Sequence, residues 1–268
     1  MPMPDDINDI RDFYSRAPDY EDERLNRHQL EFEMTLKFMD EFLPSDANIL
    51  ELGAATGRYT VELAKRGYRG VAVDLAPTLM ERCRQRLRKE GVTSWQTIVA
   101  DARNLDEVGG VFDAVLIMGP LYHLVEAEDR ARVLEEARDR LVDDGVCFTS
   151  WISRVGLLGD LLKNHPEWID REDEVTSILS EGREPPGPRS GFRGYFARAD
   201  EIEPFHEKAG FNTVVLAGIE PAISADDDSY NSLEPPLRSR WLALLYRVST
   251  EPSAVGASRH LLYIGKKS

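Results

Sequence analysis

Cysteine, lysine and long apolar runs are scarce in this chain, and each scarcity excludes something. Only two cysteines occur, Cys83 and Cys147, in predicted regular elements far apart in sequence. That argues against a disulfide framework or a cysteine zinc site and implies a reduced, cytoplasmic protein. No apolar run approaches the ~18 residues that read as a membrane helix. The start, Met1-Pro-Met-Pro-Asp-Asp, lacks a basic segment followed by an apolar one, so no secretory signal is expected. Lysine supplies only 7 of the 33 basic residues, against 48 acidic ones, for a formal charge of −15. Such a surface repels nucleic acid and anionic lipid, whose binding needs clustered Lys and Arg. Neither nucleic acid nor a membrane is expected as a partner, and the chain is expected to be a monomer or a homodimer.

What is present is enough apolar sequence, 42% of 268 residues, for one large domain. Residues 1–28 are polar and charged, with Tyr14 and Tyr20 interleaved, and read as an N-terminal arm. Leu30, Met34, Phe38 and Phe42 then recur every four residues, which predicts a helix over 29–43 ended by Pro44. From there short apolar runs alternate with helical patterns. Strands are expected at 48–52, 70–74, 95–100, 112–118 and 145–151, and helices at 58–66, 78–90 and 128–142. This rhythm predicts a parallel sheet with helices on both faces, an α/β doubly wound architecture. The rhythm breaks at 152–196, which carries an apolar helical piece (155–162), an acidic helix (170–180) and Pro185-Pro-Gly-Pro188. An excursion this long reads as a cap inserted after the fifth strand. A helix over 199–209, a sixth strand at 212–218, a helix over 237–246 and a seventh strand at 260–266 complete the fold. The chain thus divides into an arm or lid (1–28), a cofactor-binding half (29–151), the inserted cap (152–196) and a C-terminal half of the same domain (197–268).

Ligands of open parallel sheets bind at the carboxyl ends of the strands. The first strand ends in Glu51-Leu52-Gly53-Ala54-Ala55-Thr56-Gly57 and runs into a helix. A dinucleotide fingerprint would need glycine where Ala55 and Arg58 stand, so it fails at two of three positions. A nucleoside cofactor without a pyrophosphate needs only the small turn. Asp74, ending the second strand, can accept hydrogen bonds from both ribose hydroxyls. Asp101, ending the third, can accept from an adenine amino group. Acids also follow strands as helix N-caps, but three at successive strand ends beside the Gly53 turn favour a nucleoside site.

The segments Ile49-Leu-Glu-Leu-Gly-Ala-Ala-Thr-Gly57, Val71-Ala-Val-Asp-Leu75, Val99-Ala-Asp-Ala102 and Phe112-Asp-Ala-Val-Leu-Ile-Met-Gly119 resemble the class I S-adenosylmethionine-dependent methyltransferases. The resemblance covers about residues 45–151. It implies a Rossmann-like seven-stranded sheet of order 3-2-1-4-5-7-6 with strand 7 antiparallel. It implies S-adenosylmethionine as cofactor, with S-adenosylhomocysteine as product. By resemblance Gly53, Ala54, Ala55 and Gly57 approach the methionine part, with Glu51 beside them. Asp74 holds the ribose, and Leu75 and Leu79 pack on adenine. Asp101 meets the adenine amine and Ala102 its edge, while Met118 and Gly119 line the methionyl side. Ala55 departs from the glycine often found there.

Methyl transfer from a sulfonium is an in-line displacement in which the protein mainly aligns the acceptor and excludes water. The loop Met118-Gly-Pro-Leu-Tyr-His-Leu124 offers the catalytic candidates. His123 is either a base near neutral pH or a turn-capping hydrogen bonder, and Tyr122 either orients the acceptor or packs. The arm offers Tyr14, Tyr20 and Arg24 as lid residues, with Arg24 able to pair with a carboxylate. Trp151, Trp168, Phe192, Tyr195 and Phe196 supply aromatic material for an acceptor pocket, and Trp151 and Tyr195 are the chosen candidates. Ser258 and His260 open the seventh strand and border the pocket. Arg189, Arg193 and Arg198 form a small basic cluster that either meets an anionic group on the substrate or, the favoured reading, offsets nearby acids. His28, His165 and His206 lack metal-ligand spacing and read as surface residues, and no metal is expected. The expected reaction is methyl transfer to a small molecule. Its alternatives are other chemistry of the same cofactor, such as cyclisation or transfer of another group, a non-catalytic cofactor-binding module, and a nicotinamide oxidoreductase.

Overall fold

The computed structural model describes residues 6–16, 18–183, 193–221 and 226–268. The arm folds as two helices, α1 (Asn8–Arg16) and α2 (Pro18–Arg27). Helix α3 (Gln29–Phe42) follows and buries Leu30, Met34 and Phe38 against the core, as the four-residue repeat predicts. Each such burial removes apolar surface worth about 1.5–3 kcal/mol from water. The cofactor-side half alternates as β1 (Asn48–Leu52), α4 (Arg58–Lys65), β2 (Arg69–Asp74), α5 (Pro77–Lys89), β3 (Trp95–Val99), β4 (Phe112–Ile117), α6 (Pro120–His123), α7 (Ala127–Arg140) and β5 (Leu141–Ser153). Strand β5 starts four residues earlier than the sequence pattern implies, because Leu141 pairs with Phe112 across a register shift.

The excursion after β5 contains α8 (Leu157–Asn164), a 3-10 turn (Pro166–Asp170) and α9 (Glu172–Glu181). Trp168 and Ile178 of this cap pack with Tyr122, Ile152 and Phe196 in a small apolar cluster of their own. Pro185–Pro188, Arg189 and Phe192 lie outside the described residues. The chain continues through β6 (Phe196–Ala197), α10 (Ala199–Lys208), β7 (Phe211–Gly218), α11 (Asp227–Asn231), α12 (Leu237–Val248), α13 (Pro252–Ala257) and β8 (His260–Lys267).

The sheet order is β3-β2-β1-β4-β5-β8-β7, with β8 antiparallel to both neighbours. Counted without β6, this is the expected 3-2-1-4-5-7-6. The sheet has eight strands rather than seven, because the two-residue β6 pairs in parallel with the end of β5. Two apolar layers cover the faces. One contains Leu30, Met34, Phe38, Cys83 and Phe148, and the other contains Leu50, Val73, Ile117, Leu134 and Trp151. Burial on both faces explains why the strands read as near-continuous apolar runs. No helix among the described residues is long and apolar enough to cross a membrane.

Candidate active site

The carboxyl ends of β1, β2 and β4 converge on one cavity of about 950 Å³, counted to its open mouth. That lies within the ~300–1,000 Å³ typical of small-molecule clefts. Backbone geometry builds its floor. Gly53 has φ +77°, and a Cβ there would stand 2.5 Å from Pro120 Cδ, so the turn requires glycine. Gly57 has φ +84°, and a Cβ there would meet Cys83 Sγ at 2.5 Å. Ala55 also adopts a left-handed conformation, φ 49°, which explains why glycine suits this position.

The acids at the strand ends take distinct environments. Asp74 accepts the backbone N–H of Ala55 and of Ala76, each at 2.9 Å, so it clamps the turn after β1 to the start of α5. Burial raises its carboxyl to about 6, against the pull of those two bonds. Glu51 is almost fully buried and accepts one bond, from Thr60 Oγ1 at 2.5 Å. Burial pushes its carboxyl up to about 8. No cation lies within ion-pair distance of Glu51 among the described residues. Asp101 lines the cavity but is already engaged by Arg103, with Nη2–Oδ2 at 2.7 Å, and Arg103 also bonds Asp129 at 2.8 Å. Leu75, Leu79, Ala102, Met118 and Gly119 supply the neutral remainder of the wall.

The arm closes over this cavity. Ile7, Ile10, Tyr14, Glu21 and Arg24 line it. Thr78 Oγ1 donates to Ser15 O at 3.2 Å, Arg86 pairs with Asp22 at 2.8 Å, and Arg82 pairs with Asp19, so α5 holds the arm down. Arg24 forms a two-point pair with Glu21, at 2.9 and 2.7 Å. Tyr20 falls on α2, and its side chain lies outside what the structure describes.

His123 ends the short helix α6. Its Nδ1 is 2.9 Å from the carbonyl of Arg193, which only accepts, so Nδ1 carries the proton. Nε2 therefore accepts from the Tyr14 hydroxyl at 2.8 Å. Both nitrogens are occupied when the arm is down. Burial lowers the imidazole to about 4 and holds the Tyr14 hydroxyl well above its usual 10. Tyr122 lines the same wall, with burial raising its hydroxyl as well.

Several expected site residues stand elsewhere. Trp151 is buried in the core, donates from Nε1 to Thr149 Oγ1 at 2.9 Å and packs edge-on to His206. Tyr195 lies under the Arg130 guanidinium at 3.6 Å and donates its hydroxyl to Glu201. Neither lines the cavity, because the face of the sheet that they occupy is covered by α10. His206 is not a surface residue. It sits on the inner face of α10, bonded to Thr149 Oγ1 at 2.9 Å and to Ile202 O at 2.7 Å. Arg193 is buried and ties to Asp9 at 3.0 Å, while Arg198 is exposed and pairs with Asp200 at 2.7 Å, so both offset acids. Ser258 is fully buried and bonds the carbonyl of His260 at 2.8 Å.

The signals missed in sequence belong to a second cluster at the same edge. His28 is half-buried, not on the surface, and its Nδ1 lies 3.0 Å from Asp227 Oδ2 and 2.9 Å from Arg259 Nη2. His28, Glu220 and Asp227 bring their ligand atoms within 4.8 Å of one another, the spacing of a metal site. The Arg259 guanidinium stands among them, 2.5 Å from Glu220 and 3.6 Å from Asp227, so it already supplies the positive charge there.

An open, mostly parallel sheet with acids at successive strand ends around a glycine turn is an arrangement that suits a nucleoside cofactor. Comparison narrows this class. Residues 49–145 match the family described as "Methyltransferase domain". Over 112 residues the chain is 39% identical to magnesium-protoporphyrin O-methyltransferase of Rhodobacter capsulatus, covering 40% of this chain and 47% of that protein. Over 78 residues it is 33% identical to nodulation protein S of Rhizobium tropici, covering 29% of this chain and 32% of that one. The chain thus spans about a third to a half of the curated relatives it matches. The solved magnesium protoporphyrin IX methyltransferase of Synechocystis, with S-adenosylhomocysteine bound, superposes with TM-score 0.62 at 13% identity, covering 98% of this chain and 100% of that one. A methyltransferase of Methanosarcina mazei gives TM-score 0.59 at 16% identity, covering 86% and 96%. Over residues 49–145 the chain is thus similar to a methyltransferase domain, and its sheet has the fold of the methyltransferases it superposes on, one of them with S-adenosylhomocysteine bound.

Proposed function

We propose that the protein transfers a methyl group from S-adenosylmethionine to a small-molecule acceptor. The observation that carries this reading is the donor set of the cavity. A buried carboxylate without a cation, Glu51, suits the cofactor's ammonium group. Asp74 has lone pairs left for ribose hydroxyls, and Leu75, Leu79 and Ala102 offer apolar faces to adenine. When bound, the cofactor supplies a methyl on a sulfonium, already a good leaving group.

The chain's own contribution is alignment and exclusion of water. Helices α1 and α2 cover the cavity, and the Tyr14–His123 bond fastens the cover to α6. Tyr122 stands at the end of β4 beside Met118 and Gly119, where it orients an acceptor. The relatives' names point the same way, since the magnesium-protoporphyrin and ubiquinone-biosynthesis enzymes are O-methyltransferases of small molecules. The test is to incubate the protein with S-adenosylmethionine carrying a deuterated methyl and a library of small-molecule acceptors. A mass gain of one deuterated methyl group on an acceptor, with S-adenosylhomocysteine in equal amount, is expected. S-adenosylhomocysteine absent with every acceptor would count against transfer.

A further inference from the structure

We infer that Arg58 seats an anionic group of the acceptor, a carboxylate or a phosphate set apart from the atom that is methylated. This rests on the methyl-transfer reading above and names the substrate class: a small organic anion and not a neutral compound.

The cations lining the cavity are matched, with one exception. Arg24 is gripped at two points by Glu21, and Arg11 lies 3.5 Å from Asp12. Arg58 lines the same cavity and has no carboxylate within ion-pair distance among the described residues. In a chain with 48 acids and a charge of −15, an arginine left without one of them stands out. Its guanidinium is nonetheless fixed. One face lies over the Phe32 ring, 3.9 Å from the centroid, and Nη1 donates to the carbonyl of His28 at 3.3 Å. Nε and Nη2 make no hydrogen bond among the described residues. They form the edge with which Arg24 grips Glu21, the edge that takes a carboxylate or phosphate at two points. Arg58 is half-buried, and burial works against its charge, so an anion arriving there relieves a cost already present.

The cofactor's own carboxylate has a different address. Its ammonium and carboxylate share one carbon, so a cation serving that carboxylate would stand close to Glu51, the ammonium's partner. Glu51 feels Thr60 and Asp74 but not Arg58. The groups acting most on Arg58 are Tyr59 beside it, Glu31 on α3, Arg24 on α2 and Glu33 on α3. Glu31 is itself drawn to His260, 3.8 Å away, and leaves Arg58 unpaired. The guanidinium thus leans off the glycine turn onto the start of α3, away from the ends of β2 and β3 where ribose and adenine lie. The Phe32 and Tyr59 rings, 5.1 Å apart, give that corner apolar surface for the body of an acceptor.

The test uses the full chain and a library of phenols and amines in matched sets, each carrying a carboxylate, a phosphate or a neutral carboxamide. Methylation of carboxylate or phosphate members is expected, with kcat/KM about ten- to hundredfold above their carboxamides, the scale of hydrogen bonds to a charged group. Arg58→Gln should bring that ratio close to one, chiefly through KM, and Arg58→Lys should restore part of it. Calorimetry of the S-adenosylhomocysteine complex with the same matched sets reads the preference without turnover. Carboxamides bound and methylated as well as the anions would overturn the proposal, as would a preference for anions that survives Arg58→Gln. So would an Arg58→Gln protein that binds S-adenosylhomocysteine about tenfold more weakly yet binds 5′-methylthioadenosine, which lacks the methionyl carboxylate, as wild type does, since Arg58 would then serve the cofactor. Anion-selective binding that depends on Arg58, with no methylated product from any set, would uphold the seat and overturn the function reading beneath it.

Discussion

Replacing Glu51 by glutamine should make the cofactor-free protein more stable at alkaline pH and less dependent on pH. Glu51 is 1% exposed and its carboxyl is raised from 4.5 to about 8, because burial penalises the charge more than the single Thr60 bond relieves it. In that window the folded protein holds a proton that the unfolded chain has lost. The contribution of this group to stability is therefore fully present below about 4.5 and is lost as pH rises to about 8. The gap of ~3.5 pH units, at ~1.4 kcal/mol each, bounds the loss at ~5 kcal/mol. Glutamine keeps the shape and the acceptor for Thr60 but cannot ionise. Urea denaturation at pH 5, 6.5 and 8 measures the effect. Wild type should lose several kcal/mol across this range, and Glu51→Gln should lose clearly less, with the variant the more stable at pH 8. The same variant should bind S-adenosylhomocysteine more weakly, since the ammonium group would lose its counter-charge. Parallel pH profiles for the two proteins would refute the argument that an uncompensated buried carboxylate sits there.

Asp74→Ala should weaken S-adenosylhomocysteine binding by roughly 1.5–3 kcal/mol, about ten- to hundredfold in Kd, the scale of hydrogen bonds to a charged group. Calorimetry on the folded variant checks this, and unchanged affinity would remove Asp74 from the ribose role. Ala55→Gly should relieve a left-handed alanine that costs about 1–2 kcal/mol, offset by ~0.5–1 kcal/mol of added chain entropy, for a net gain of up to ~1.5 kcal/mol in urea denaturation. A loss of stability would contradict the strain argument. Tyr14→Phe removes the hydroxyl that closes the arm onto His123, about 1 kcal/mol, and should speed proteolytic cleavage within residues 6–27 several-fold. Equal cleavage rates would show that the arm is held by its α5 contacts alone.

The cavity-lining residues at the strand ends were legible in sequence because their signals are local. Glu51, Gly53, Asp74 and Asp101 each sit within a residue or two of a strand end, and period and turn chemistry alone place them on one edge. The order of the seven main strands followed from the family resemblance. What failed were contacts made across the chain. Tyr14 meets His123 over 109 positions, and His28 meets Arg259 over 231, so neither pair shows in a local pattern. His206 was misplaced because its polarity suggests solvent, yet Thr149 and a backbone carbonyl satisfy both nitrogens inside the core. Trp151 and Tyr195 were assigned to the acceptor pocket from their aromatic character. The alternation along β5 and the cover provided by α10 send them to the opposite face. The two-residue β6 is too short to carry any periodicity of its own.

The central claim is that this cavity holds S-adenosylmethionine, and calorimetric titration with S-adenosylhomocysteine, with NADH as control, tests it most directly. The account predicts saturable binding of one S-adenosylhomocysteine per chain and no heat from NADH. Binding of NADH with none of S-adenosylhomocysteine would contradict it.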